Sequence, residues 1–204
     1  MGGGRGADAP SLAPLPDIAA APRLVAPAVR CQASFIEALR ECHAEGRHAE
    51  LPAQKLADPE EFSRYVAALG AGAQRPGEPD FYLAALEQGP RPVSWPDGYV
   101  PQTVFWWVAG DAYLGRLSIR HRLTAHLLHE GGNLGFEVRP SARGRGHATT
   151  MLATALPLAA ALGVDPARLD CEVFNVASRR VIEKNGGVLD EERNGSLFFW
   201  MPTR

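Results

Sequence analysis

The sequence is poor in cysteine, and its few cysteines are not clustered. Its 204 residues include 3 cysteines, Cys31, Cys42 and Cys171, and no C-x-x-C pair occurs among them. An odd and scattered set gives neither a disulfide framework nor a zinc-binding motif, and it fits a reducing compartment. We therefore expect a cytoplasmic protein that holds no metal ion.

Long apolar runs and blocks of basic charge are also missing. No stretch of about twenty apolar residues occurs, so we expect no membrane span. No charged segment leads into an apolar one, as it would in a signal peptide. The 21 Lys and Arg are nearly balanced by 23 Asp and Glu, which gives a net charge of −2 without a basic cluster. This balance argues against nucleic acid as the partner.

Composition divides the chain into a leader and one domain. Residues 1–22 are mostly Gly, Ala and Pro, with little that a core could bury. We therefore expect a disordered leader. The remaining residues, 23–204, have a length suited to a single domain.

The first part of this domain is predicted to be helical. Ser34 and Glu37 have the spacing of a capping box, and the helix that they begin is expected to end at Gly46. Asp58-Pro59 combines an N-cap residue with a proline at the first helical position, so a second helix is predicted from there to residue 70. After it we expect a loop at 71–79, a short helix at 81–86 and a linker at 89–101.

The second part of the domain alternates strands and helices. Period-2 patterns over 103–108 and 113–120 predict a hairpin, and the basic, His-rich segment 121–130 is weakly helical. A strand is predicted at 169–173 and a helix at 176–185. A final hairpin pairs 188–191 with 197–201 across the Asn194-Gly195 turn.

The most informative stretch is a strand, a glycine-rich loop and a helix. Apolar residues alternate over 134–138, and Pro140 ends that strand. After the loop at 143–146, apolar residues recur at helical spacing up to Gly163, although Pro157 should bend that helix or end it early. Unpaired N–H groups at such a helix start form a site for phosphate or pyrophosphate. The loop lacks the spacing of a P-loop and of a dinucleotide-binding motif.

The loop reads Arg143-Gly144-Arg145-Gly146-His147-Ala148, preceded by Val138-Arg139-Pro140. These residues resemble the acyl-CoA loop of the GNAT superfamily of N-acetyltransferases, R/Q-x-x-G-x-G/A, and the V-x-P before it. The family's next strand and the helix opened by an asparagine, here Asn175, follow at the right spacing, and that helix stops near Gly186. The resemblance covers residues 103–204 and is thin before them.

The resemblance implies an α/β GNAT fold. This fold has a mixed, strongly twisted sheet of six to seven strands, a splayed central strand and helices on both faces. Residues 102–204 would form the acyl-CoA-binding core. Residues 23–101 would form the helical part on the acceptor side.

The same resemblance implies which residues bind acetyl-CoA. The edge of the central strand would pair with the pantetheine amides as an added strand would. The loop would bind the pyrophosphate, and the start of the last helix would contact the pantetheine arm. The residues assigned in this way are Phe136, Val138, Arg143, Gly144, Arg145, Gly146, His147, Ala148, Asn175 and Ser178.

The family resemblance identifies no residue in this chain that could donate a proton to the leaving thiolate. Many members place a tyrosine in the last helix to protonate the leaving thiolate, and Ile182 stands at that position here. For the base that deprotonates the amine, the candidates are polar residues around the central strand. Glu137 lies on the strand, His121 flanks it, and Asn133 could hold a water that relays the proton. A solvated or ion-paired Glu137 without a catalytic role is left open.

These observations predict an N-acyltransferase that moves an acetyl group from acetyl-CoA to a primary amine by direct attack in a ternary complex. A non-catalytic acyl-CoA sensor or regulatory module on the same fold is the alternative. A thiol enzyme that uses Cys171 is a third reading. The acceptor is left open between a small amine, an antibiotic and a protein N-terminus, and a homodimer is also left open.

Overall fold

The structure, a computed structural model, describes residues 20–70, 73–74 and 100–204. Residues 1–19 of the predicted leader lie outside this part of the chain. So do the predicted short helix, nearly all of the predicted linker and most of the predicted loop at 71–79. Within that loop the structure describes residues 73–74, which form a short strand, so the loop prediction is wrong there.

The first sheet has the strand order β1-β3-β4-β5, with all pairs antiparallel. A two-residue strand, β2, also pairs with the start of β3. Because side chains alternate along a strand, one face of this sheet carries Arg116 and Glu137, which are register partners, and the other carries Leu117 and Phe136. The strands are β1 (Arg23–Val25), β2 (Ala73–Gln74), β3 (Val100–Ala109), β4 (Ala112–Arg120) and β5 (Leu134–Val138).

The second sheet has the order β6-β8-β7 and is also antiparallel. Its strands are β6 (Ala167–Glu172), β7 (Val188–Arg193) and β8 (Ser196–Met201). Asn194 and Gly195 join β7 to β8 with φ angles of 52° and 80°. These positive angles are those of the tight hairpin turn that the Asn-Gly pair predicted.

The two sheets meet at one end of β5 and then separate. The Asn133 N–H donates to the Arg168 carbonyl (2.7 Å), and a Cβ on Gly132 would lie 2.3 Å from the same oxygen. Beyond this contact β5 and β6 line the two sides of a cleft. The splayed central strand predicted from the sequence is therefore confirmed.

Helices cover both faces of the first sheet. On the Glu137 face, α1 (Gln32–Ala44), α2 (Ala53–Leu56) and α3 (Pro59–Gly70) enclose an aromatic cluster in which Phe35 stacks on Trp106 with 5.2 Å between ring centroids. The short α4 (Ala125–His129) lies between β4 and β5. On the Phe136 face, α5 (His147–Ala161) and α6 (Val176–Lys184) bury the main core. No helix in the described part of the chain is long and apolar enough to cross a membrane.

Two of the predicted helix starts have different outcomes. The Asp58 carboxylate accepts from the N–H groups of Glu60 (2.9 Å) and Glu61 (3.0 Å), which confirms it as the cap of α3. The capping box predicted at Ser34 is wrong, because α1 already begins at Gln32, directly after a 3-10 turn at Val29–Cys31. The Ser34 hydroxyl instead accepts from the Tyr113 N–H (3.0 Å) and so holds α1 to the sheet.

Candidate active site

The glycine loop opens directly onto the start of α5. Gly144 and Gly146 have φ angles of 75° and 81°, which favour glycine, and a Cβ on either residue would meet nothing within 4 Å. The first hydrogen bond within α5 is that of Thr150 to the Gly146 carbonyl (3.1 Å). The N–H groups of residues 147–149 therefore precede the hydrogen-bonded helix, at the positive end of its dipole. Such a helix start binds a phosphate well.

Arg143, the first residue of the loop motif, is turned toward α1. Its guanidinium makes two contacts with the Glu45 carboxylate, at 2.8 and 2.9 Å, and its Nε donates to the Val138 carbonyl (3.2 Å). Its backbone N–H donates to Pro140 (3.2 Å). The Arg143 donors therefore brace the loop, and the exposed Arg145 is the arginine of the loop that is left to face solvent.

His147, at the start of α5, is fixed by the core beneath it. The buried Trp107 indole N–H donates to its Nδ1 (3.3 Å), so its proton lies on Nε2. Burial and the Arg145 charge lower the pKa of His147, which favours the neutral ring. The imidazole therefore has an N–H donor to offer at the loop.

Asn175 caps α6, since its Oδ1 accepts from the Ser178 N–H (3.0 Å). Both residues line the cleft, as does Phe136, whereas Val138 is buried. The side-chain NH₂ of Asn175 has no hydrogen bond to any residue in the described ranges. The contacts predicted from these residues to a pantetheine arm stay predictions.

The cleft between β5 and β6 has a volume of about 550 Å³. This size lies within the range of about 300–1,000 Å³ that is usual for small-molecule sites. Its walls come from β5, β6, the start of α6, the loop after α4 and the β7–β8 hairpin. Gly135 lies at the bottom of the part on the Glu137 face of the sheet. We call this part the acceptor groove, after the role that we propose for it.

Asp170 lies in this groove and was not singled out from the sequence. It sits on β6 with its neighbours Leu169 and Cys171 turned into the core on the other face. Burial raises the pKa of the Asp170 carboxyl, against a backbone hydrogen bond from Gly131 and the Arg120 charge. Asp170 stands between the apolar Leu169 and Cys171 on a strand that ends shortly before Asn175, and this position was the signal that could have identified it.

Glu137, the predicted base, is bonded to Arg47 and His48. Its carboxylate bonds His48 Nε2 (2.7 Å) and forms an ion pair with Arg47. Burial works to raise the pKa of Glu137, but the hydrogen bond and charge of His48, with the charges of Arg47 and Arg116, outweigh it and lower that pKa. The sequence left an ion-paired Glu137 open, and this is the arrangement that the structure shows.

The surroundings of Glu137 also bring together three possible metal ligands. One donor atom each of Cys42, His48 and Glu137 lie within 4.8 Å of one another, beside a small cavity of about 30 Å³. The Arg47 guanidinium already bonds Glu137 and lies 3.7 Å from the Cys42 sulfur. Because the Arg47 cation already contacts two of these three groups, we interpret them as an ion-pair cluster.

The other two predicted catalytic residues lie apart from Glu137. The His121 ring bonds the Thr103 hydroxyl (2.8 Å), on the opposite face of the sheet. Asn133 is buried, and its amide bonds the Arg120 carbonyl (3.0 Å) and the Arg168 N–H (2.9 Å). The structure therefore does not bring the three predicted catalytic residues together.

The family is identified by a direct sequence match. Residues 38–188 match the model described as the acetyltransferase (GNAT) domain, which is more than half of the 204-residue chain. The chain belongs to the GNAT acetyltransferase family. The resemblance seen in the loop and at Asn175 is thereby confirmed, and the GNAT match begins at residue 38, well before the region where the motifs lie.

Solved GNAT structures share the fold at low sequence identity. RimL, a ribosomal L7/L12 alpha-N-protein acetyltransferase solved with coenzyme A, has a TM-score of 0.54 at 15% identity, over 91% of this chain and 96% of its own. The microcin C7 self-immunity acetyltransferase MccE, solved with acetyl-CoA and AMP, has 0.54 at 11%, over 91% and 94%.

A third GNAT relative, the putative acetyltransferase yncA from Salmonella typhimurium, was solved with its cofactor acetyl-CoA. It has a TM-score of 0.51 at 15% identity, over 90% of this chain and 94% of its own. Likeness at these identities establishes the fold. Among curated proteins, no significant match to this chain is found.

Proposed function

We propose that this GNAT protein transfers the acetyl group of acetyl-CoA to a primary amine. The proposal rests on one observation: strand β5 lines the cleft and leads directly into the glycine loop. Phe136 and Gly135 of β5 line the cleft, and the chain then runs through the glycine loop to the anion-binding start of α5. The coenzyme A and acetyl-CoA present in the RimL, MccE and yncA structures support this assignment.

The residues of the chain fit acetyl-CoA as the co-substrate. The glycine loop offers backbone N–H groups and the His147 Nε2–H, and Asn175 offers its side-chain NH₂ beside the cleft. Acetyl-CoA supplies the activated thioester when it is bound. The protein would hold the thioester and the amine next to each other, so orientation is its first contribution to rate.

Removal of a proton from the ammonium is the second contribution, and we assign it to Asp170. An alkyl ammonium must lose a proton before it attacks, and a base with a raised pKa accepts that proton better than an ordinary aspartate. Asp170 lies in the groove and its pKa is raised. Glu137 has a lowered pKa and is already bonded to Arg47 and His48, and so is less suited to the task. Glu137, His121 and Asn133 stay predictions as catalytic residues.

Protonation of the leaving thiolate is left to a group other than residue 182. Ile182 is fully buried in the main core and carries no proton donor. Cys171 does not supply nucleophilic catalysis in this proposal. Burial raises its pKa to about 11, so it stays a protonated thiol near neutral pH.

The experiment that tests the proposal compares acetyl-CoA binding with turnover. Purified protein is titrated with acetyl-CoA by calorimetry, and release of free CoA is then followed over a panel of primary amines. The proposal expects both binding and amine-dependent release. Binding without release for any amine would favour the non-catalytic sensor. Loss of activity in Cys171→Ala would favour the thiol enzyme.

The division of labour along the chain is proposed together with the reaction. Residues 102–204 contain both the loop and the cleft, and residues 23–101 supply α1 to α3 on the Glu137 face. We infer that the first of these parts binds acetyl-CoA and that the second shapes access for the acceptor. A cytoplasmic location remains part of this proposal.

A further inference from the structure

The acceptor groove is lined by more carboxylate side chains than guanidinium side chains. Three carboxylates line it, those of Glu130, Asp170 and Glu172, together with the guanidiniums of Arg120 and Arg193. What the groove can bind depends on which of these charges already have partners within the protein.

Both guanidiniums are held by the wall of the groove. Arg120 Nη1 donates to the carbonyls of Gly131 (2.7 Å) and Gly132 (3.2 Å). Arg193 donates to the His129 carbonyl (3.3 Å), pairs with Glu191 (3.4 Å) and lies 4.7 Å above the Phe198 ring. These contacts turn the two arginines toward the protein and fix the loop after α4 against the hairpin.

Two of the three carboxylates have no such partners. No side-chain hydrogen bond or ion pair joins Glu130 or Glu172 to any residue that the structure describes, and both are exposed. Glu172 and Asp170 point to the same side of β6, two residues apart, which places their Cα atoms about 7 Å from each other. Glu130 is close enough to Asp170 to raise its pKa.

We propose that the acceptor carries a second positive charge near the reacting amine, and that Glu172 and Glu130 bind that charge while Asp170 faces the amine. This inference rests on the proposed acetyl transfer and narrows its substrate class to diamines, polyamines and basic amino-terminal segments. An anionic acceptor would meet unpaired like charges at both glutamates. A neutral monoamine would leave both carboxylates without a counter-charge.

The test compares butylamine with putrescine, which has the same carbon chain and one more ammonium group. We expect kcat/KM for putrescine to exceed that for butylamine by about tenfold at low ionic strength, and the advantage to shrink with added salt. A peptide with a basic residue after its free amino terminus, compared with the neutral version, tells whether a small molecule or a polypeptide is the better source of the charge.

Variants then assign the preference to the two glutamates. In the Glu130→Gln, Glu172→Gln double variant the ratio for putrescine over butylamine should fall close to the statistical ratio that the two equivalent amino groups of putrescine give by themselves. Glu192→Gln removes an exposed carboxylate of β7 outside the groove and should keep the wild-type ratio. Melting curves of all three proteins show whether each is folded.

The outcomes separate this inference from the proposed function. Turnover of amines with no preference for a second charge, or with a preference that survives the double variant, overturns the inference and leaves acetyl transfer standing. Binding of acetyl-CoA without turnover of any amine overturns both. A preference that is lost in the double variant and kept in Glu192→Gln supports the inference.

Discussion

The side chain of Asn133 bonds the backbone of Arg168 at the point where the two sheets separate. Its Oδ1 accepts from the Arg168 N–H at 2.9 Å, and its Nδ2 donates to the Arg120 carbonyl at 3.0 Å. One buried amide thus joins β4, β5 and β6 at the closed end of the cleft. Asn133 was predicted to bind a water molecule that relays a proton. In the structure its side-chain amide instead bonds the two strands that meet at this end of the cleft.

Asn133→Ala should therefore destabilise the protein. The change leaves the Arg168 N–H and the Arg120 carbonyl without their partner, and a buried polar group left unpaired costs about 1–3 kcal/mol. Urea unfolding of the wild type and the variant gives the difference in the free energy of unfolding. We also expect a higher KM for acetyl-CoA, because the cleft is no longer fixed. An unchanged unfolding midpoint would contradict this account of Asn133.

Gly146→Glu should weaken acetyl-CoA binding. The new side chain brings a negative charge to the start of α5, where we place the phosphates, and we expect a loss of tenfold or more in Kd, about 1.4 kcal/mol. Calorimetry measures the effect. Gly163→Glu is a matched control, because Gly163 has a φ angle of 82° against 81° for Gly146 and the same open space, but lies beyond the other end of α5. Equal losses in the two variants would show backbone strain rather than a phosphate site.

Asp170→Asn should reduce kcat by roughly 10²–10⁴, the usual contribution of a general base. The base works when ionised, so wild-type activity should fall as the pH drops through the raised pKa of Asp170. This acid limb should lie above the ordinary value of 3.8 and should be absent in the variant. The pH profile of kcat/KM provides the measurement.

Two further variants test which carboxylate is the general base. Glu137→Gln should keep more activity than Asp170→Asn, since Glu137 is already ion-paired. Asp111→Asn, at an exposed position in the turn between β3 and β4, should keep wild-type activity. Loss of the acid limb in Glu137→Gln instead would restore Glu137 as the base.

The His48–Glu137 pair should make stability depend on pH. The hydrogen bond to Glu137 raises the pKa of His48 above 6.5, so its contribution is complete below that value and is lost as the pH rises through the raised one. The pKa of Glu137 is lowered below 4.5, so its contribution is complete above 4.5 and is lost as the pH falls through the lowered one. The pair should therefore stabilise most between pH 4.5 and 6.5.

His48→Gln measures this contribution. We expect the variant to lose about 1 kcal/mol of unfolding free energy within that window and less at alkaline pH. Chemical unfolding at several pH values provides the data. His126→Gln, which changes an exposed histidine of α4, is the control. A loss that is the same at every pH would mean that the ion pair contributes nothing beyond packing.

Features set by neighbouring residues were predictable from the sequence. The Asp58 cap, the Asn194-Gly195 turn and the Asn175 cap each depend on residues a few positions apart, and the structure confirms all three. The glycine loop is equally local, and the family match bears out the resemblance based on it. Pro157 was expected to bend α5 or end it early. The helix continues through Pro157 to Ala161, so Pro157 does not end it, and the bend stays a prediction.

Features set by distant residues were not predictable. Glu137 has an ordinary sequence environment, and its partner His48 lies 89 residues earlier in the chain. The raised pKa of Asp170 depends first on burial in the folded chain, and that burial involves the loop after α4. Ser34 has the pattern of a helix cap but bonds Tyr113, a contact that only the packing of α1 on the sheet produces.

The measurement that tests the central claim most directly follows an isotopically labelled acetyl group. The protein is incubated with labelled acetyl-CoA and putrescine, and mass spectrometry detects any labelled amide. We predict that the label appears on the amine in step with free CoA, that Gly146→Glu raises the acetyl-CoA concentration required, and that Asp170→Asn slows the transfer. Label that stays on CoA for every amine tested, while acetyl-CoA binds normally, would contradict the claim that this protein is an acetyltransferase acting on amines.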